Sequence, residues 1–72
     1  MEINSIIIKK PIKLTKVKKI GSEFLGHKVG FIRETGESYR VRNIPKTKFK
    51  EGSFRTKKIN DNISIVMGKL KI

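Results

Sequence analysis

The stretch KVGFIRETGESYRVR, from Lys28 to Arg42, carries side chains that suit binding to a polyanion. It holds three arginines and two aromatic residues, Phe31 and Tyr39, in alternation with small and aliphatic residues. A guanidinium group binds phosphate oxygens through a planar fork, and an aromatic ring can stack on a nucleic-acid base. Phe31 and Tyr39 are therefore either core residues beneath a wet arginine face or a stacking platform that the arginines surround.

The hairpin register decides between these two alternatives. We favour a loop of Glu34–Gly36, in which Gly36 takes the left-handed position of a type I turn with a G1 bulge. This register pairs Arg33 with Glu37, Phe31 with Tyr39, and Val29 with Val41. Two other loops, Thr35–Gly36 and Thr35–Glu37, would shift the pairing. In the favoured register one face collects Val29, Phe31, Tyr39 and Val41, and the opposite face collects Lys28, Gly30, Ile32, Ser38, Arg40 and Arg42. We expect the first face to point into the core, because a barrel this small needs its large apolar side chains.

The charge of the chain is its strongest compositional signal. Its 72 residues include 18 lysines and arginines against 6 acids, which gives a formal net charge of +12. A strong basic excess is the electrostatic footprint of a nucleic-acid binder, although a lysine-rich soluble protein would show the same excess. RNA or DNA is the expected partner, and an acidic protein surface is the alternative.

The candidate contact residues lie on the hairpin, on the loop that follows it and on the next predicted strand. Phe49 stands among lysines in that loop, where it is either a core plug or an exposed stacking ring. The predicted nucleic-acid-binding residues are Lys28, Phe31, Arg33, Arg40, Arg42, Lys46, Lys48, Phe49, Lys50, Arg55 and Lys57.

The sequence gives little support for disulfides, metal binding or catalysis. The chain has no cysteine, which excludes disulfides and thiolate metal sites. His27 is the only histidine, and the acids fall near termini and turns without forming a recognisable catalytic pair. We expect no catalytic residue, no metal and no cofactor.

The longest aliphatic run, Ile6–Ile8, is too short for a membrane span, and no signal peptide is recognisable. A cytoplasmic, membrane-free protein is therefore expected.

β-Branched residues, separated by short turn-forming segments that contain Gly, Pro or Asn, predict an all-β domain over residues 1–72. Residues 1–10 would form an N-terminal edge strand or arm, and residues 11–72 the core of a small antiparallel barrel, OB-like or SH3-like, with five to six strands. A short helix at Ser22–Leu25, or within Pro45–Gly52, is the alternative at those positions. The predicted strands are Ile3–Lys9, Ile12–Ile20, Lys28–Arg33, Glu37–Ile44, Ser53–Ile59 and Ile63–Leu70.

The second half of the chain also carries turn residues in a distinctive order. Gly26 to Val29 precede the hairpin, Ile44-Pro45 follow it, and Glu51-Gly52 lead into the last two strands. In this order the segment resembles the TRAM domain, a small OB-like barrel found on RNA-modifying enzymes and as free-standing RNA-binding proteins. Lysines stand at 28 and 46 where that family has glycine. The resemblance implies RNA binding on the barrel face through Lys28, Phe31, Arg40 and Arg42.

These features together predict a non-catalytic nucleic-acid-binding protein, with RNA slightly favoured over DNA. In size and charge the chain is also similar to small SH3-like chromatin proteins that bind DNA. The alternative from another class is a protein-interaction module or inhibitor that docks on an acidic partner. In that alternative the exposed edge of Ile6–Ile8 would pair with a partner strand.

Overall fold

The computed structural model describes residues 1–71, which form one antiparallel sheet backed by a helix. The strand order is β2-β3-β1-β5-β4, and every neighbouring pair is antiparallel. The prediction of a small antiparallel β fold is confirmed with five strands, and the sheet stays open instead of closing. The elements are β1 (Glu2–Lys9), α1 (Leu14–Leu25), β2 (Phe31–Glu34), β3 (Ser38–Arg42), a 3-10 turn (Lys46–Lys48), β4 (Arg55–Lys58) and β5 (Ile63–Gly68).

Strand β1 occupies the centre of the sheet. It pairs with β3 along one side and with β5 along the other, with a bulge between Ile3 and Ser5. The prediction of an N-terminal edge strand or arm is therefore wrong. Ile6 and Ile8 are almost completely buried, because an aliphatic strand buries most surface where it has neighbours on both sides. The backbone of Ile6–Ile8 is fully used within the sheet.

The prediction of a strand over Ile12–Ile20 is wrong, because the chain is helical from Leu14 onward and residues 14–20 form the first half of α1. Its apolar residues recur at helical spacing, so that Val17, Ile20 and Gly21 lie on one side of the helix and face the sheet. The helix ends at Gly26, whose φ of 74° is left-handed and whose N–H donates to the carbonyl of Ser22. Val17 and Ile20 are thus core contacts of a helix and not of a strand.

The core lies between α1 and one face of the sheet. Helix α1 contacts β1 and β3, and the side chains buried there are Ile6, Ile8, Val17, Val41 and Ile65. A bilayer crossing would need a longer and more apolar helix than any found in residues 1–71.

The β2–β3 hairpin has a register that differs from all three of the predicted ones. Ile32 lies opposite Val41, Phe31 opposite Arg42, Arg33 opposite Arg40, and Glu34 opposite Tyr39. The turn is closed by Thr35, whose N–H donates to the Ser38 carbonyl at 2.9 Å. Gly36 is not among the positive-φ glycines of residues 1–71, so the predicted G1 bulge is absent there. The pairing is offset by three residues from the favoured one, and an odd offset exchanges the two faces of β2 relative to β3. Phe31 consequently leaves the core, whereas Tyr39 and Val41 keep their side.

Candidate nucleic-acid interface

The side of the sheet opposite α1, which we call the open face, carries the residues that alternate with the core positions. Since Ile6, Ile8 and Val41 point toward the helix, Ile7, Arg40 and Arg42 point away from it. Two rows of side chains cross the five strands on this face. One row is Arg33, Arg40, Ile7, Ser64 and Lys58, and the other is Phe31, Arg42, Ser5, Val66 and Thr56.

None of the arginines on the open face forms an ion pair within residues 1–71, and Lys58, at the edge of that face, pairs with Asp61. Arg33 and Arg40 lie directly opposite each other, an arrangement that disfavours the isolated sheet. Residues 1–71 contain two ion pairs, Lys10–Glu34 and Lys58–Asp61, and neither involves an arginine. Three of the four arginines of the chain therefore share one face with no carboxylate in either row. Lys9 joins them beyond Ile7 on the same strand. An incoming polyanion would relieve this repulsion.

Phe31 lies among these arginines and not in the core. Its side chain is 58% exposed, and the Arg42 guanidinium carbon lies 5.8 Å from its ring centroid. Tyr39 is on the helix side, half-buried against the core, with the Lys10 ammonium 5.1 Å from its ring centroid. The prediction that both rings point inward thus holds for Tyr39 and is wrong for Phe31, because the hairpin register differs.

The loop between β3 and β4 is anchored by Phe49. This side chain is 2% exposed and lies 5.3 Å from Phe54, measured between ring centroids. Gly68 makes room for it, since a Cβ there would come within 2.8 Å of the Phe49 ring. Phe49 is therefore a core plug, as one of the two sequence alternatives held, and presents no ring to a ligand. The lysines at 46, 48 and 50 are exposed around it.

The remaining predicted residues lie elsewhere. Arg55 and Lys57 alternate with the open-face residues of β4, so they point to the helix side of that edge strand. Lys28 lines a shallow groove with Lys18 and Lys19 of α1. The helix side therefore carries a second basic area, made of lysines. Two cations of the open face, Lys9 and Lys58, were absent from the predicted set, although strict alternation along their strands would have placed them.

Two asparagines that the sequence analysis did not single out hold the end of β3 in place. The Asn43 side chain donates to the carbonyl of Ile3 at 2.9 Å, and the Asn4 side chain donates to the carbonyl of Ile44 at 2.8 Å. The Asn43 amide oxygen also lies 3.0 Å from Nε2 of His27. These bonds fix the point at which the chain leaves β3 and enters the loop beside Phe31.

The fold and the site define a class, namely an open antiparallel sheet with a helix on one face and exposed arginines on the other. No family model matches this chain, and neither does any curated protein or solved structure. Within residues 1–71, no cluster of three or more His, Asp or Glu side chains is arranged to hold a metal ion.

Proposed function

We propose that this protein binds nucleic acid without catalysis, holding phosphates on the open face of its sheet. One observation carries the proposal, which is that three arginines and an exposed phenylalanine share a sheet face whose two central rows contain no carboxylate. Solubility alone would not require Arg33 directly across from Arg40, a pairing that is unfavourable in the isolated sheet.

The size of the open face suits a polymer better than a single small anion. The two rows cross five strands, which at about 4.8 Å between strands span roughly 19 Å. Several phosphates of one chain can therefore contact Arg33, Arg40 and Lys58 together. Contacts of this kind give salt-sensitive affinity with little sequence dependence, with a dissociation constant of about 10⁻⁴ to 10⁻⁶ M at physiological salt.

RNA is the favoured nucleic acid, and this preference rests on the TRAM-like order of turns around Pro45 and Gly52. DNA binding, as in the small chromatin proteins of similar size and charge, is the second possibility within the same class. In the alternative of a protein-interaction module that docks on an acidic partner, Ile6–Ile8 cannot offer a free edge to a partner strand, because β3 and β5 occupy both sides of it.

The proposal is tested by a pair of double variants that each remove two positive charges. Arg40→Gln/Arg42→Gln changes the open face, and Lys16→Gln/Lys19→Gln changes exposed residues of α1. Fluorescence anisotropy with a labelled RNA would be measured at about 50 and 200 mM salt, a range over which phosphate-rich interfaces lose roughly 10³-fold or more in affinity.

The open-face variant is expected to lose most of its affinity, and the helix variant only a small part of it. Equal losses in the two variants, or a larger loss in the helix variant, would overturn the assignment of the site. No binding of the unmodified protein to RNA or DNA at either salt concentration would overturn the proposed function itself.

A further inference from the structure

Phe31 is an exposed aromatic residue with arginines on either side of it. Single exposed apolar residues are common on protein surfaces, so exposure alone indicates nothing. Here the ring is exposed on a sheet face, directly across from Arg42 and beside Arg33 along its own strand. The Arg42 guanidinium carbon lies 5.8 Å from the centroid of the Phe31 ring. One planar ligand can therefore contact both side chains.

A groove adjoins this ring. Its floor contains Phe31, Arg40 and Arg42, and its wall is the segment Ile44–Thr47 that leaves β3. The volume is about 480 Å³, within the roughly 300–1,000 Å³ typical of small-molecule and cofactor sites. The groove is thus large enough for a nucleobase, and its cations can bind the phosphates on either side of that base.

The wall of the groove is fixed before any ligand arrives. Asn4 holds the carbonyl of Ile44 at 2.8 Å, and the 3-10 turn Lys46–Lys48 closes with the N–H of Lys48 donating to the carbonyl of Pro45 at 3.0 Å. Phe49, buried immediately after this turn, anchors its far end. Because this wall is already ordered opposite the aromatic ring, binding of a base costs less conformational entropy of the protein.

We infer that the open face takes single-stranded nucleic acid, with one unpaired base stacked on Phe31 in this groove. The inference rests on the proposed function and deepens it. In a duplex the faces of the bases are covered by their neighbours, so Phe31 could contribute nothing beyond the phosphate contacts of the arginines. An unpaired base offers a free π-face to the ring and to the Arg42 guanidinium.

The groove has few means of distinguishing one base from another. Asn43 donates its side-chain N–H to the carbonyl of Ile3 and turns its oxygen toward His27. Asn4 donates to the carbonyl of Ile44 and accepts from the Ser5 hydroxyl. The oxygen and one N–H of each side-chain amide at the groove are therefore already engaged in the fold. Stacking, which all bases can provide, is left as the main contact, and binding should tolerate any sequence.

The experiment uses the fact that the chain has no tryptophan. Phe31→Trp places a single indole on the open face, and Phe24→Trp places one on α1, where Phe24 is 38% exposed. Each variant is titrated with unlabelled oligouridylate and oligoadenylate of about 12 nucleotides, within the roughly 4–16-nucleotide range of small single-strand binding folds, and with an RNA duplex of equal length. Stacking of a base on the indole quenches its fluorescence.

The expected result is quenching of Phe31→Trp by both single strands, little quenching by the duplex, and none of Phe24→Trp with any ligand. Phe31→Ala should weaken single-strand binding by about 5- to 150-fold, the range for loss of one stacking ring, and should change duplex binding much less. Because Phe31 is exposed, this variant should fold normally, which circular dichroism checks.

Two other outcomes separate the inference from the proposed function. If Phe31→Trp is not quenched and Phe31→Ala binds single strands normally, while Arg40→Gln/Arg42→Gln still loses binding, base stacking is wrong and phosphate binding stands. If the unmodified protein binds neither single strand nor duplex, the proposed function fails, and the inference fails with it.

Discussion

Ile32 lies directly opposite Val41 in the β2–β3 ladder, and this pair decides which side chains of the hairpin reach solvent. Val41 is fully buried and Ile32 packs against the same core. Their neighbours along each strand, Phe31 and Arg42, must then face away from the helix. The burial of two aliphatic side chains and the exposure of the candidate binding residues are therefore consequences of a single register.

The two faces of β1 should respond differently to truncation. Ile6 is fully buried between Val41 and Ile65, whereas Ile7 lies on the open face. Ile6→Ala should lower the free energy of unfolding by about 2–5 kcal/mol, because it leaves a cavity in the core. Ile7→Ala should lower it less, since solvent fills the space. Urea unfolding followed by circular dichroism measures both variants, and equal losses would contradict the assignment of the faces.

The salt dependence of binding should report the arginines individually. If Arg40 contacts one phosphate, Arg40→Gln should make the slope of log K against log salt shallower by about 0.7 for a single strand. Arg55→Gln is the matched control, because Arg55 lies on the helix side of β4. Anisotropy titrations at several salt concentrations give the slopes. An unchanged slope for Arg40→Gln, or an equal change for Arg55→Gln, would remove Arg40 from the interface.

Sequence reasoning failed at the hairpin because it chose the register from local turn chemistry, charge pairing and the apolar pattern of the hairpin alone. A loop of Glu34–Gly36 satisfies all three, yet it would place Ile32 in solvent and Phe31 in the core. The fold buries Ile32 against Val41 and accepts Arg33 opposite Arg40. Val41 is buried and Ile32 partly buried because α1 packs against this side of the sheet. The sequence analysis predicted a strand over Ile12–Ile20 and so did not include this helix in the core.

Much of the sheet was nevertheless predictable, because strand positions follow from local composition. The predicted strands beginning at Ile3 and Ile63 agree with the structure. Between the last two strands the chain turns at Asn60, whose Oδ1 accepts from the N–H groups of Asn62 and Ile63. Which strand lies at the centre was not predictable in this way. That position depends on pairing between distant segments, such as β1 with β5, which composition does not encode.

Two glycines should respond in opposite directions to alanine. Gly26 ends α1 with φ of 74°, where a Cβ is disfavoured, so Gly26→Ala should reduce stability by about 1–2 kcal/mol. Gly36 lies in the hairpin turn without a positive φ, and a Cβ there meets no atom within 4 Å. Gly36→Ala should therefore increase stability by about 0.4–1 kcal/mol, by restricting the unfolded chain. Urea unfolding tests both, and destabilisation by Gly36→Ala would favour the left-handed turn that the sequence predicted.

Replacement of Asn43 should lower the free energy of unfolding, although Asn43 is a polar residue outside the apolar core. Its side chain donates to the carbonyl of Ile3 at 2.9 Å in a part-buried position, so Asn43→Ala leaves that carbonyl without this partner and should cost about 1–3 kcal/mol. The matched control is Asn62→Ala, since the Asn62 side chain is exposed and makes no hydrogen bond to residues 1–71. Urea unfolding of the two variants measures the difference. If both lose the same stability, the Asn43 bond does not hold β3 to β1, and the groove wall beside Phe31 lacks the support that we assign to it.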